Sequence, residues 1–147
     1  MNDMEVNERK TVGEVFSIGK DNPPIPGCTV SKAFGGEDSG ITYFSLAKHT
    51  DISAEIYPYH KLLIVAEGSV EVYGRDGFSQ KLRAGECIFT WTDVPVGMRT
   101  EEGSVYTEVA VRKESRMNEI IKAGEVFKLE DLVPYAESKI VNMDVVH

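Results

Sequence analysis

The dominant signal along the chain is a succession of short apolar or alternating runs cut by turn residues. Ile41-Thr42-Tyr43-Phe44-Ser45-Leu46 and Leu62-Leu63-Ile64-Val65-Ala66 are rich in β-branched, aromatic and aliphatic side chains and predict strands. Ser69-Val70-Glu71-Val72-Tyr73 alternates polar and apolar positions at period two, the pattern of a half-buried strand. Glu67-Gly68 separates these last two runs, and Gly74-Arg75-Asp76-Gly77 supplies a turn with two glycines. Further strands are expected from Glu86 to Trp91 and from Ser104 to Arg112. Many short strands at this spacing predict a sandwich or barrel. Between Arg112 and Lys122, Met117, Ile120 and Ile121 fall at helical spacing within a charged stretch, which fits a short helix and an irregular linker equally well. Met1 to Lys10 is charged and is expected to be a loose, flexible arm.

Composition narrows the class. The 147 residues are enough for one domain with a real core. The formal net charge of −8 disfavours nucleic acid and anionic membrane surfaces as partners. No apolar run approaches the roughly 18–20 residues that a spanning helix needs, and the N-terminus lacks the apolar stretch of a signal peptide, so a cytoplasmic protein is expected. Cys28 and Cys87 stand far apart in dissimilar contexts. Two such thiols make neither a disulfide framework nor a zinc knuckle, and both read as small hydrophobes on strands.

The chain also repeats part of itself. Gly13-Glu14-Val15-Phe16 recurs as Gly124-Glu125-Val126-Phe127, and at the same offset Ile18 is matched by Leu129, Pro23 by Pro134 and Val30 by Val141. Similarity at a fixed offset points to a duplicated unit of which the second copy only begins. The segment from Val126 to Val146 is then a strand-like remainder that must satisfy its backbone against the barrel or against another subunit.

From Glu55 to Val111 the chain resembles a cupin domain. Leu63-Ile64-Val65-Ala66-Glu67-Gly68-Ser69-Val70-Glu71-Val72 is similar to the strand, turn and strand that close the family's first motif. Leu82-Arg83-Ala84-Gly85-Glu86-Cys87-Ile88-Phe89 is similar to the start of the second, and Asp93-Val94-Pro95-Val96 to its closing turn. The resemblance implies an all-β fold, the cupin double-stranded β-helix or jelly-roll barrel, with extra N- and C-terminal strands. The implied layout is an arm over residues 1–10, a barrel over 11–114, and over 115–147 a connector leading into the start of a second cupin unit, as in two-barrel members.

The metal-ligand positions of the resemblance do not carry ligands. Anchored on Gly68, the family's two His fall at Glu55 and Tyr57 and its Glu at Lys61; anchored on Gly85, its last His falls at Val96. Only Glu55 could bind a metal, while a charged Lys61 offers no lone pair and repels a cation. No metal and no cofactor are therefore expected. His60 is one residue out of step, which on a strand turns it to the face opposite Glu55, Tyr57 and Lys61 and makes it a surface or interface histidine unless a bulge draws it inside. His49 and His147 lie outside the motif.

If the period-two register holds, Glu55, Tyr57, Lys61, Leu63 and Val65 point into the barrel. Cys87, Phe89 and Trp91 share one face of the next strand, and Val96 and Met98 line the mouth. An apolar and aromatic cavity with one carboxylate, one phenol and one amine would suit a small organic ligand, with Glu55, Tyr57, Lys61, Trp91, Val96 and Met98 as its candidate contacts. Glu55 and Lys61 form either a buried ion pair that substitutes for the missing metal or a pair of ligand-orienting groups, with Lys61 holding a carboxylate or carbonyl. The leading expectation is a metal-independent small-molecule binder that forms a homodimer. The alternatives are an isomerase or lyase using Lys61, Tyr57 and Glu55, the lysine able to form a Schiff base, and a vestigial half of a two-barrel protein with a structural or assembly role.

Overall fold

A computed structural model of the chain describes residues 2–8, 13–34 and 40–131. Among the described residues ten strands follow one another: β1 Asn2–Glu8, β2 Cys28–Phe34, β3 Ile41–Leu46, β4 Thr50–Ile56, β5 His60–Gly74, β6 Ser79–Arg83, β7 Glu86–Phe89, β8 Pro95–Thr100, β9 Ser104–Val111 and β10 Val126–Lys128. Two single-turn helices, α1 Ile18–Asp21 and α2 Met117–Ile120, and a 3-10 turn at Leu129–Asp131 complete the order. Among the described residues no helix is long and apolar enough to cross a membrane.

The strands form two sheets joined by β5. One runs β1-β2-β3-β9-β5-β7-β10. The other pairs β4 with β8, β8 with the second half of β5, and that half with β6. All pairings are antiparallel except β1 with β2. The Glu67-Gly68 break expected between two strands is instead a bend within one strand of 15 residues. The β5–β9 register shifts between Val65 and Glu67, and Gly68 takes φ +70° where a Cβ would collide with the carbonyl of Gly103. That bulge lets β5 leave the first sheet and enter the second.

Between the sheets lies the main core: Leu46, Leu63, Val65, Val70, Val72, Leu82, Ile88, Val96, Met98 and Tyr106, each at most 3% exposed. A second cluster sits outside the first sheet, where Leu62, Cys87 and Phe89 are covered by Ile121 with Met117, Ile120, Ala123 and Phe127 around them. The connector is thus one helical turn plus β10 folded back onto the barrel, pairing Val126 with Ile88 and Phe127 with Cys87. The rest of the expected C-terminal strand segment lies outside the described residues. Within the expected loose arm, β1 pairs with β2 along seven register positions. The physical reason is the sheet edge: without β1, the outer backbone groups of β2 would be unpaired.

Candidate functional site

The C-terminal ends of β4, β7 and β9 and the N-terminal ends of β5 and β8 meet at one end of the barrel. Lys61, Leu63 and Val65 alternate along β5 on the inward face, and their register partners on β9 are Ala110, Glu108 and Tyr106. This places one ammonium and one carboxylate on neighbouring strands inside the barrel mouth. Lys61 Nζ and Glu108 Oε1 are 3.0 Å apart, with side chains only 4% and 11% exposed. The same ammonium lies 3.4 Å from the centroid of the Tyr57 ring, a cation–π contact. The Tyr57 hydroxyl donates to Glu55 Oε2 at 3.0 Å, and the Tyr57 and Tyr59 rings are tilted against each other at 5.5 Å. Tyr106, fully buried, stacks on Phe44 with ring centroids 5.1 Å apart.

Two polar atoms in this group have no hydrogen-bond partner among the described residues, the Tyr106 hydroxyl and Glu108 Oε2. At the opposite end of the barrel the buried hydroxyls are satisfied. Thr50 donates to the Ala47 carbonyl at 2.6 Å, Thr100 to that of Ser69 at 2.6 Å, and Ser104 to that of Glu67 at 3.1 Å. Thr107 Oγ1 is also unpaired, but its register partner is Ile64, on the other face of the sheet.

Burial dominates the electrostatics of the mouth. It raises the carboxyl of Glu108, an effect that the Lys61 ammonium opposes but does not overcome. It also raises the Tyr106 phenol, with the Glu108 and Tyr57 charges adding to it. Tyr57 is raised by burial and then by its bond to Glu55, and Tyr59 by burial and then by Glu108 and Glu55. At neutral pH all three phenols therefore keep their protons and remain both donors and acceptors.

The sequence-predicted residues divide. Lys61, Val96 and Met98 are buried inside, and Tyr57 is half-buried over Lys61. Glu55 is exposed. A register irregularity between Ile52 and Glu55 sets Glu55 opposite inward-facing Val96, but its carboxylate accepts from Tyr57 at the exposed end of β4, and the carboxylate paired with Lys61 is Glu108. Trp91 does not line the interior; it is 38% exposed, edge-on to Phe78 at 4.6 Å. Cys87 and Phe89 do share a face, but it is the outer one, because they are paired with Ile64 and Leu62, and Ile88 points inward beside Leu63. His60 faces away from Lys61 and is buried rather than on the surface. It stacks on Phe89 at 4.4 Å, and its Nδ1 lies 2.6 Å from the Thr90 carbonyl. Tyr106 and Glu108 were missed; the one signal for them was a lone charged residue inside a strand that is otherwise uncharged.

The donor set does not fit the metal that the fold commonly carries. Of the four corresponding positions, Glu55 is exposed, Tyr57 is stacked on an ammonium, Lys61 is that ammonium and Val96 has no donor. Among the described residues no three His, Cys, Asp or Glu side chains gather where they could hold an ion. A groove of about 620 Å³ bordered by Arg83, Gly85, Glu86 and Leu129 lies at the far end of β7 and gathers none of the mouth residues.

No family profile and no curated protein sequence matches the chain. Solved structures do. A conserved protein of unknown function from Streptococcus pyogenes superposes with TM-score 0.66 at 20% identity, over 76% of this chain and 98% of that one. A cupin superfamily protein from Desulfitobacterium hafniense gives 0.56 at 16% identity, over 60% and 82%. A double-stranded β-helix protein from Klebsiella pneumoniae gives 0.57 at 15%, over 84% and 97%. Likeness at these identities speaks to the fold alone. With two sheets joined through β5 around one core, and with these structural relatives, the chain has the cupin double-stranded β-helix fold.

Proposed function

We propose that the barrel mouth binds a small, neutral, hydroxyl-bearing organic molecule without the help of a metal ion. The observation that carries this is the pair of buried, unpartnered polar atoms, the Tyr106 hydroxyl and Glu108 Oε2, at one end of a barrel whose other end is hydrogen-bonded. An unmet buried polar atom costs about 1–3 kcal/mol, and a ligand that donates to the carboxylate and accepts from the phenol removes that cost twice. Lys61 is already neutralised by Glu108, and Glu55 adds a negative charge at the rim, so the mouth offers no net attraction to a carboxylate. A salt-bridged ammonium also lacks the lone pair that a Schiff base needs, which weighs for binding over lysine-based catalysis.

The test is mass spectrometry of small molecules released on denaturing freshly purified protein, followed by titration of the identified compound into wild type and Tyr106→Phe. A hydroxylated compound that is retained by wild type and bound at least tenfold more weakly by the variant supports the proposal. Its overturn would be a protein that releases nothing and whose melting is unmoved by a panel of sugars, polyols and hydroxy acids.

A further inference from the structure

The Gly-Glu-Val-Phe repeat has a structural counterpart. Gly13 and Gly124 both occupy the left-handed region, at φ +85° and +88°. Each opens the same four-residue run, and each run is followed after one residue by a helical turn, at Ile18–Asp21 and at Leu129–Asp131. The second run is seated on the edge of β7. Its Val126 packs against the main core and its Phe127 against the outer cluster. The Gly124 N–H donates to the Phe89 carbonyl at 2.7 Å and the Leu129 N–H to that of Gly85 at 2.8 Å. A Cβ at position 124 would run into the Trp91 ring, so the seat requires glycine for space as well as for φ.

The first run carries the same glycine, valine and phenylalanine, yet among the described residues 14–17 belong to no strand and Val15 is 96% exposed, while Phe16 rests at the surface against the Tyr43 ring, centroids 6.2 Å apart, a contact it would give up on docking. The other side of β7 is taken by β5. One chain therefore holds two segments shaped for the seat and a single seat. The second run holds it within the chain because Met117, Ile120 and Ile121 anchor its approach on the outer cluster. At the same offset the first run is preceded by Val6, Arg9 and Lys10, two of which are charged.

We propose that Gly13–Phe16 adds as a strand to the β7 edge of a second copy of this chain, in place of that copy's β10. Edge addition of this kind takes its affinity from main-chain hydrogen bonds and its specificity from alternate side-chain pockets, and here the pockets already accept a valine and a phenylalanine in that order. The register of β10 would set Val15 against Ile88 and Phe16 against Cys87 of the other copy.

That register can be trapped. The full chain carrying Phe16→Cys and Phe127→Ala, the latter to loosen β10, is treated with diamide and run without reductant. A covalent dimer several-fold above that of Phe127→Ala alone is expected, abolished by Cys87→Ser and kept in Cys28→Ser. Phe16→Cys in an otherwise natural chain, incubated longer, should give the same Cys87-dependent dimer more slowly, and it decides the matter if Phe127→Ala unfolds the protein. A dimer that survives Cys87→Ser overturns the pairing. So does the lack of a dimer above background in whichever variant is folded.

Discussion

Replacing Lys61 by Met and Glu108 by Gln, singly and together, measures the interaction on which the mouth is built. At 3.0 Å and an effective dielectric of about 20, the attraction is on the order of 5–6 kcal/mol. Against it stands the desolvation of two groups whose side chains are 4% and 11% exposed. The raised pKa of Glu108 says that burial outweighs the attraction. Lys61→Met should therefore cost roughly 3–5 kcal/mol, because it strands the Glu108 carboxylate, whereas Glu108→Gln removes a charge that burial disfavours and should cost much less, and removing both charges should return the protein to within about 1 kcal/mol of wild type. The Lys61 variant also forfeits its contact with the Tyr57 ring, worth about 0.5–2 kcal/mol. Urea melts at neutral pH, followed by the fluorescence of the single tryptophan, Trp91, give the four stabilities. Single effects that add within about 0.5 kcal/mol in the double variant would show that the two groups do not interact, and the account of the mouth given above would fail with them.

Because Glu108 ionises less readily in the folded than in the unfolded chain, its contribution is complete below the ordinary glutamate range and is lost as pH rises through its raised folded value. Wild type should accordingly lose stability relative to Glu108→Gln as pH rises above the ordinary glutamate range, and melts in which the gap widens in wild type's favour would contradict the burial cause. Glu71 and Asp93, both lowered by basic partners, are common to the two proteins and cancel. Burial raises the Cys87 thiol to about 11, so its labelling by a thiol reagent at pH 7.4 should be on the order of 100-fold slower in the native than in the unfolded protein. Equal native and unfolded rates would mean that β10 does not cover it.

What could be read from residues alone followed the physics of each strand. Ile41–Leu46 matches β3 in both bounds, and the inward placement of Lys61 follows by parity from Leu63 and Val65. Parity set Glu55 on the face of inward-facing Val96 but gave no sign that it stays exposed at the rim, bonded to Tyr57 instead of Lys61. It also could not assign faces on β7, where Cys87, Ile88 and Phe89 are all fully buried; a strand covered on both sides has no alternation to read. The partner of Lys61 was invisible for another reason. Glu108 lies far along the chain, and only the β5–β9 register brings it beside Lys61, a non-local fact that no spacing encodes.

An ion pair in this position offers a guest something different from a metal ion. A metal presents open coordination positions and a concentrated positive charge. A tethered ammonium presents three N–H donors in all. Here one of its sides is directed to Glu108 and another is covered by the face of Tyr57. Beyond the third N–H, what is left to a guest is the remaining oxygen of Glu108 and the hydroxyl of Tyr106, one an acceptor and the other able to donate or accept. On the proposed reading, recognition therefore rests on matching hydrogen bonds in a desolvated pocket, where an unmatched analogue is rejected by the polar atoms it leaves unpaired. The same two groups would be the proton-handling pair if a reaction occurs there, since a buried carboxyl with a raised pKa and a neighbouring phenol can exchange a proton with a bound hydroxyl. Selectivity lost in Tyr106→Phe, together with a stability that is unchanged or higher without ligand, would follow from that assignment, because the hydroxyl removed has no hydrogen-bond partner among the described residues.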